Sequence, residues 1–562
     1  MFKRFTLYMF MVIFSGVLSA QDIQIAKKTI SYLASDKLEG RFPGTAGDSM
    51  AQQFIESEID ACDLNPFDFG YRQEFEIVTD IAVSNASFAT WNGEKLVLKE
   101  DYMPMSFSGD DALNASVIFY GQQGDDEKPD YQNKWVLKVI DNKNNPLPRY
   151  DELMKLYMDL KTNNAGGLIL TYTTGVTDST EFYPFIYTRS FMSADIPVIQ
   201  ISSEIINKSL KKYDVSISDL NTIKSDDNVT YPEIKLHAQL KIDKIKTKTA
   251  NLAGWIEGSD TNTWIVLGAH HDHLGYGGYG SGSRAPEQYA IHNGADDNAS
   301  GVATVLMLAD YYAEHKPDLN LAFVLFGAEE QGLLGSKYFV ENMPFEKEKI
   351  KNMLNFDMVG RVKDSVMDII GTTTAKEYQD ILTSFDDVPL TLKLRKGGYS
   401  GSDQAMFYAE KIPVLFFFAG INDDYHTPAD DIDLINFQGI KMLADYCVVL
   451  LDTLLLPETL LTYQEVEESG KSRHGSNMKV KFGIMPDMTG ESGDGMRIDA
   501  VMKGGVAYKT GLQKKDIIIK IGDNDIGNIY DYMKAMSGFN KEDKTQITVI
   551  RDGKTMVFDV EF

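Results

Sequence analysis

The chain has 562 residues, 43% of them hydrophobic and 24% charged, with a formal net charge of -27. A typical domain holds about 100–200 residues, so three or four units are expected, with ample material for a core. The acidic excess repels phosphate backbones and sets nucleic acid aside as a partner, and no polar low-complexity tract argues for disorder.

In chain order, Lys3 and Arg4 precede an apolar stretch over residues 5–17 and the small-residue sequence Leu18-Ser19-Ala20. This pattern predicts a signal peptide over 1–20 and export to the periplasm or the outside. The apolar run is shorter than the ~20 residues of a spanning helix, and no later segment reaches that length, so no stable membrane span is expected after cleavage. Cys62 and Cys447 are the two cysteines. They lack metal-ligand spacing, and their distance in sequence leaves a disulfide open.

Residues 21–111 form a first segment in which Ala51, Phe54 and Ile55 sit at the spacing of one helical face. From 112 to 240, short β-rich runs at 115–120, 135–140, 167–171 and 196–202 mark a separate insert. From 241 to 464 the texture becomes α/β. Apolar runs of strand length at 251–256, 263–267, 319–326, 351–359 and 412–418 are separated by helices, of which 301–312 is the clearest. Strands without strict alternation are buried on both faces, which predicts a mixed, mostly parallel sheet with helices on both sides and a ligand site at the carboxyl ends of its strands. A polar linker over 465–477 then leads to a small β-rich domain over 478–562 with one helix near 530–536.

Five clusters of His, Asp and Glu fall at or just after predicted strand ends. His270 and Asp272 stand two apart in an extended segment and share a face, so His270 can ligate a metal while Asp272 accepts its second ring N–H. Gly294-Ala295-Asp296-Asp297-Asn298-Ala299-Ser300-Gly301 opens a helix, where an acidic residue would otherwise read as an N-cap. Glu329 and Glu330 follow a buried run, and adjacent buried carboxylates need a cation or a proton to offset their repulsion. Asp357 ends a further strand, and Tyr425-His426-Thr427-Pro428-Ala429-Asp430 follows the last one. Five such clusters on one sheet point to a metal centre rather than to a coincidence of caps.

Taken in this order, the five motifs over about 250–455 resemble the co-catalytic zinc exopeptidases, a family that includes bacterial secreted aminopeptidases and, more distantly, glutamate carboxypeptidase II and glutaminyl cyclase. Residues 37–45 resemble that family's N-terminal segment. The resemblance implies two zinc ions bridged by Asp297, with His270 and Asp357 completing one site and Glu330 and His426 the other. Asp297 rather than Asp296 fits the family register, four residues before Gly301. Glu329 matches the general base, and Tyr425 a residue that helps hold the oxyanion. His271 and His273 stand where the family commonly has other residues and are expected in the wall or behind the ligands. His292 is expected to be structural or at the rim.

The insert, through residues 165–170 and 196–201, resembles a protease-associated domain. Residues 478–562 resemble a bacterial-type PDZ domain, with Phe482-Gly483-Ile484-Met485 as a loop for a chain terminus and 507–518 as its helix and strand. The resulting expectation is an exported di-zinc metallopeptidase, foremost an aminopeptidase, acting on peptides or proteins. A carboxypeptidase or glutaminyl cyclase relative and a non-catalytic peptide-binding protein are the alternatives.

Overall fold

The computed structural model describes residues 21–120, 131–142, 150–174, 176, 182–187, 194–211, 215–221, 233–385, 388–399, 401–466, 480–487, 495–527 and 529–562. The signal-peptide region and nearly all of the expected linker lie outside these residues.

The expected α/β unit is built on an eight-stranded sheet in the order Arg72–Val83, Ile242–Ile256, Leu319–Phe326, Asp260–His270, Ile350–Phe356, Val414–Phe418, Val366–Ile370, Thr391–Arg395. Strand Asp260–His270 lies parallel to both of its neighbours, and Ile350–Phe356 runs parallel to Val414–Phe418. Antiparallel pairs flank this parallel centre. The sheet is therefore mixed, with its central strands parallel as expected.

Alternation along the strands divides their side chains between two cores. Ile265, Leu267, Leu321, Phe323 and Leu325 meet the helices Gln21–Leu33, Ala46–Ala61, Ser300–Glu314 and Phe437–Leu454 on one face. Val266, Ala322, Val324 and Phe326 meet Phe339 and Phe407, on helices Leu334–Glu341 and Gln404–Ala409, on the other. Helix Ser300–Glu314 packs tightly against the sheet because of Gly301, where a Cβ would lie 2.3 Å from Phe356 O.

A second eight-stranded sheet has Lys235–Gln239 and Ala112–Phe119 near its centre and Trp135–Ile140, Gly167–Tyr172 and Val198–Ile201 beyond them. Phe88–Trp91, Glu94–Lys95 and Tyr102–Pro104 also belong to it, so this unit recruits strands from before residue 112. These strands are two to four residues long, too short to show a period in sequence.

The last domain has its own sheet and core around Ile498, Ile518, Ile547 and Met536. Its strands are Met496–Val501, Ile517–Ile521, Lys544–Arg551 and Lys554–Glu561, and helix Ile529–Ser537 covers the helix expected near 530–536. It docks on the first domain through Lys337, whose ammonium lies 2.8 Å from Asp487 and 2.9 Å from Asp499. Cys62 and Cys447 are free thiols, and burial pushes Cys62 up to about 12. No helix among the described residues is long and apolar enough to cross a membrane.

Candidate metal centre

The carboxyl ends of the parallel strands gather the strand-end residues into one cluster. His270 closes its strand, Glu329 and Glu330 follow Phe326, Asp357 follows Phe356, and His426 lies in the loop beyond Phe418. Asp297 stands in the turn ahead of helix Ser300–Glu314. Its Oδ1 lies 3.2 Å from His270 Nε2, and its Oδ2 lies 3.2 Å from His426 Nε2. Asp357 Oδ1 is 3.5 Å from His270 Nε2, and Glu330 Oε1 is 3.2 Å from His426 Nε2. The donors thus form two groups around one shared carboxylate. The backbone is held in the left-handed region at Ala328 (φ 57), Met358 (φ 53) and His426 (φ 57), where a side-chain-bearing residue costs energy that the surrounding packing must supply.

Braces fix the cluster from behind. The Asp272 carboxylate accepts the backbone N–H of Glu329 at 2.9 Å and of Glu330 at 3.2 Å. It is 3.6 Å from His270 Nδ1, which lies closer, at 3.2 Å, to the Asp272 backbone oxygen. The expected His270 support therefore comes from the same residue through its carbonyl, while its carboxylate orients the two glutamates. Asp296 is also a brace: its Oδ1 accepts Gly360 N–H at 2.8 Å and its Oδ2 accepts Asn422 Nδ2 at 3.0 Å. Asp430 accepts the backbone N–H groups of both Asp296 and Asp297.

Arg41 is fully buried and donates to the carbonyl oxygens of Leu33, His271, Asn293 and Gly294. It pins the N-terminal segment to two ligand-bearing loops. Burial pulls its guanidinium down to about 10 against the attraction of Asp272 and Asp297, so it stays charged at neutral pH.

His271 and His292 are buried and bonded away from the cluster, to Ala250 O at 3.0 Å and to Ser283 Oγ at 2.8 Å. His273 comes nearer than a wall position requires. Its Nδ1 lies 2.9 Å from Glu330 Oε1, and its ligand atom groups with those of Asp297 and Glu330 within 4.8 Å. Tyr425 stacks on His426 at 3.8 Å between ring centres.

The protonation pattern follows from burying many carboxylates together. Burial pushes Glu329 well above the usual carboxyl range; His270 pulls it back, and neighbouring Glu330 adds to the rise. Burial opposes the charge on His426, yet Glu330 and Asp297 outweigh it and raise the imidazole to about 11. Glu330 is held down to about 2, because His426 and the hydrogen bond from His273 overcome burial and the repulsion of Asp297. A divalent cation fits this donor set. Imidazoles and carboxylates are its ligands, and Asp357 Oδ1 is buried with no hydrogen-bond partner among the described residues. A histidine with a raised pKa carries its proton below that value and must lose it to bind a metal, so metal uptake near pH 7 is expected to release protons and to weaken as pH falls. Calorimetry in buffers of different ionisation heat measures this; uptake without proton release contradicts it.

A parallel-centred α/β sheet with histidines and carboxylates converging at its strand ends defines the class as a metal-holding α/β domain. Residues 251–451 match Peptidase family M28 and residues 476–562 match the PDZ domain. The α/β unit is thus similar to Peptidase family M28, and the last domain to a PDZ domain. An aminopeptidase of Pseudomonas aeruginosa (strain UCBPP-PA14) is 35% identical over 130 residues, covering 23% of this chain and 22% of its own. Leupeptin-inactivating enzyme 1 of Streptomyces exfoliatus is 34% identical over 172 residues, covering 30% and 35%. The chain thus spans about a fifth to a third of the length of these relatives. Among solved structures, an aminopeptidase from Aneurinibacillus sp. strain AM-1 is similar with a TM-score of 0.47 and 19% identity, covering 79% of this chain and 96% of that one.

Proposed function

We propose that the protein is an exported zinc aminopeptidase that holds two zinc ions and releases N-terminal residues from peptides. The observation that carries this reading is the Asp297 carboxylate facing a different histidine with each oxygen. His270 and Asp357 complete one ligand group, Glu330 and His426 the other. The bound metals would supply Lewis acidity to water and to the scissile carbonyl. Glu329 takes the proton of the attacking water and passes it to the leaving amine. Asp272 holds Glu329 and Glu330 by their backbone, and the Tyr425 hydroxyl donates to the developing oxyanion in this reading.

The spaces around the centre favour an aminopeptidase over a carboxypeptidase. A cavity of about 60 Å³ lies within the cluster, between the histidines and carboxylates, and the part of its wall formed by Met358, Phe416, Phe418 and Ile421 suits an apolar side chain next to them. Neither this cavity nor the larger one beside it has a lysine or arginine among its described lining residues, as capture of a C-terminal carboxylate would require. A screen of aminoacyl-nitroanilides, N-blocked peptides and C-terminal substrates tests this. Turnover of apolar aminoacyl-nitroanilides and none of the N-blocked peptides is expected; release of C-terminal residues would overturn it.

We read the second domain as a protease-associated cover and the PDZ groove as a site for a peptide terminus. Deleting 478–562 is expected to leave nitroanilide turnover within about twofold, since no ligand or base lies there, while lowering thermal stability by exposing the Lys337 seam. A folded truncation that loses small-substrate turnover would make the last domain part of the catalytic unit.

A further inference from the structure

A cavity of about 560 Å³ adjoins the metal centre and shares Glu330 and His426 with the small one among the metal ligands. Four parts of the chain wall it: the N-terminal segment at Glu39 and Phe42, the sheet edge at Asp80, the second domain at residues 185–187, and the loop over 274–282 with Tyr289. Tyr279 and Tyr289 are 64% and 79% exposed, unusual for aromatic rings at the mouth of a site. Tyr289 stacks on Tyr276 at 5.2 Å, and the Tyr276 hydroxyl donates to Glu39 at 3.0 Å. The rings therefore form a supported wall. Among the described lining residues, His426 is the one group able to carry positive charge, and it belongs to the metal cluster; Glu39 and Asp80 are exposed carboxylates in the wall.

A peptide bond placed at the metal centre has its N-terminal residue on one side and the rest of the chain on the other. The small cavity lies among the metal ligands and closes on Met358, Phe416, Phe418 and Ile421, whereas the larger space opens from Glu330 and His426, so the continuing chain runs through the larger space. We propose that this cleft binds the peptide beyond the scissile bond and selects chains that carry lysine or arginine there. The tyrosine rings stack against the extended chain and the basic side chain, and Glu39 and Asp80 attract its charge. A dipeptide would instead bring its terminal carboxylate toward these two acids, so longer peptides are favoured. This rests on the aminopeptidase reading and adds the substrate class to it.

The test compares leucyl pentapeptides with lysine or with glutamine at the third and fourth positions, together with the dipeptide Leu-Ala. In the full-length zinc-loaded enzyme, the lysine peptide is expected to have the higher kcat/KM by roughly two- to tenfold, the range for exposed charge pairs, and mainly through KM. The preference should shrink with added salt. Asp80→Asn and Glu39→Gln, singly and together, should bring the lysine-to-glutamine ratio toward one. Tyr289→Ala should weaken both peptides, and the lysine peptide the more. A ratio of one in the wild type, or one that the double variant leaves unchanged, overturns the proposal.

Binding of fluorescently labelled forms of the same peptides to Glu329→Gln protein separates the two claims. Lysine-selective binding without turnover of any free-amine substrate by the wild type would sink the aminopeptidase reading and leave the cleft standing. Turnover of leucyl substrates without selective binding would do the reverse.

Discussion

Replacing Glu329 with glutamine is expected to lower turnover by roughly a hundredfold to ten-thousandfold, the usual loss when acid–base catalysis is removed, while metal content stays at the wild-type level. Glutamine keeps the shape and the backbone N–H that Asp272 accepts, but it does not take a proton at neutral pH. Burial and the neighbouring Glu330 push the Glu329 carboxyl up, the direction that suits a group accepting a proton and then passing it on; cations at the adjoining donors act the opposite way. Glu330→Gln carries the same chemical change one residue along. It should instead weaken one metal site, because an amide oxygen is a poorer ligand than a carboxylate. Kinetics and metal analysis on both variants decide the matter. Metal loss at 329 with dead but metal-loaded protein at 330 would reverse the assignment, and near-normal rates at 329 would remove the mechanism.

The second large effect is expected at Asp297. Its two oxygens serve two different histidines, so Asp297→Ala should strip both metals and cost at least as much activity as Glu329→Gln. His270→Ala or Asp357→Ala should empty one site selectively. The backbone of residue 297 stays tethered to Asp430, so the variant should remain folded by circular dichroism. Equal loss of both metals in all three variants would contradict the partition of ligands.

Most of this cluster was legible because its members are local to strand ends. A strand followed by His-X-Asp, or by two glutamates after a buried run such as Leu319–Phe326, marks both the element and the place where it stops. The strand ends alone do not separate Asp297 from Asp296; the family resemblance supplied that register. The structure adds the reason, since Asp296 is occupied by Gly360 and Asn422. Helix Ser300–Glu314 and the strands of the last domain were legible for the same reason, a period or a turn signal within one short window.

What stayed hidden depends on contacts distant in sequence. Arg41 is an unremarkable residue in a polar segment until the fold brings it to carbonyls about 230 and 250 positions away. Asp430 stood in a noted motif, yet its hold on the 296–297 turn spans more than 130 residues. Asp272 was read as a partner for His270, because a two-residue spacing shows a shared face; it says nothing of the Glu329 and Glu330 N–H groups that claim the carboxylate. The Lys337 seam joins two domains whose sequences carry no mark of each other.

The most direct measurement is a zinc titration of metal-free protein, with bound metal and leucyl-nitroanilide turnover followed on the same sample. Activity should rise to its limit as the second zinc binds, at two per chain, and a chelator should abolish it. Full activity at one zinc per chain, or full activity with none, would contradict a centre built around a shared Asp297.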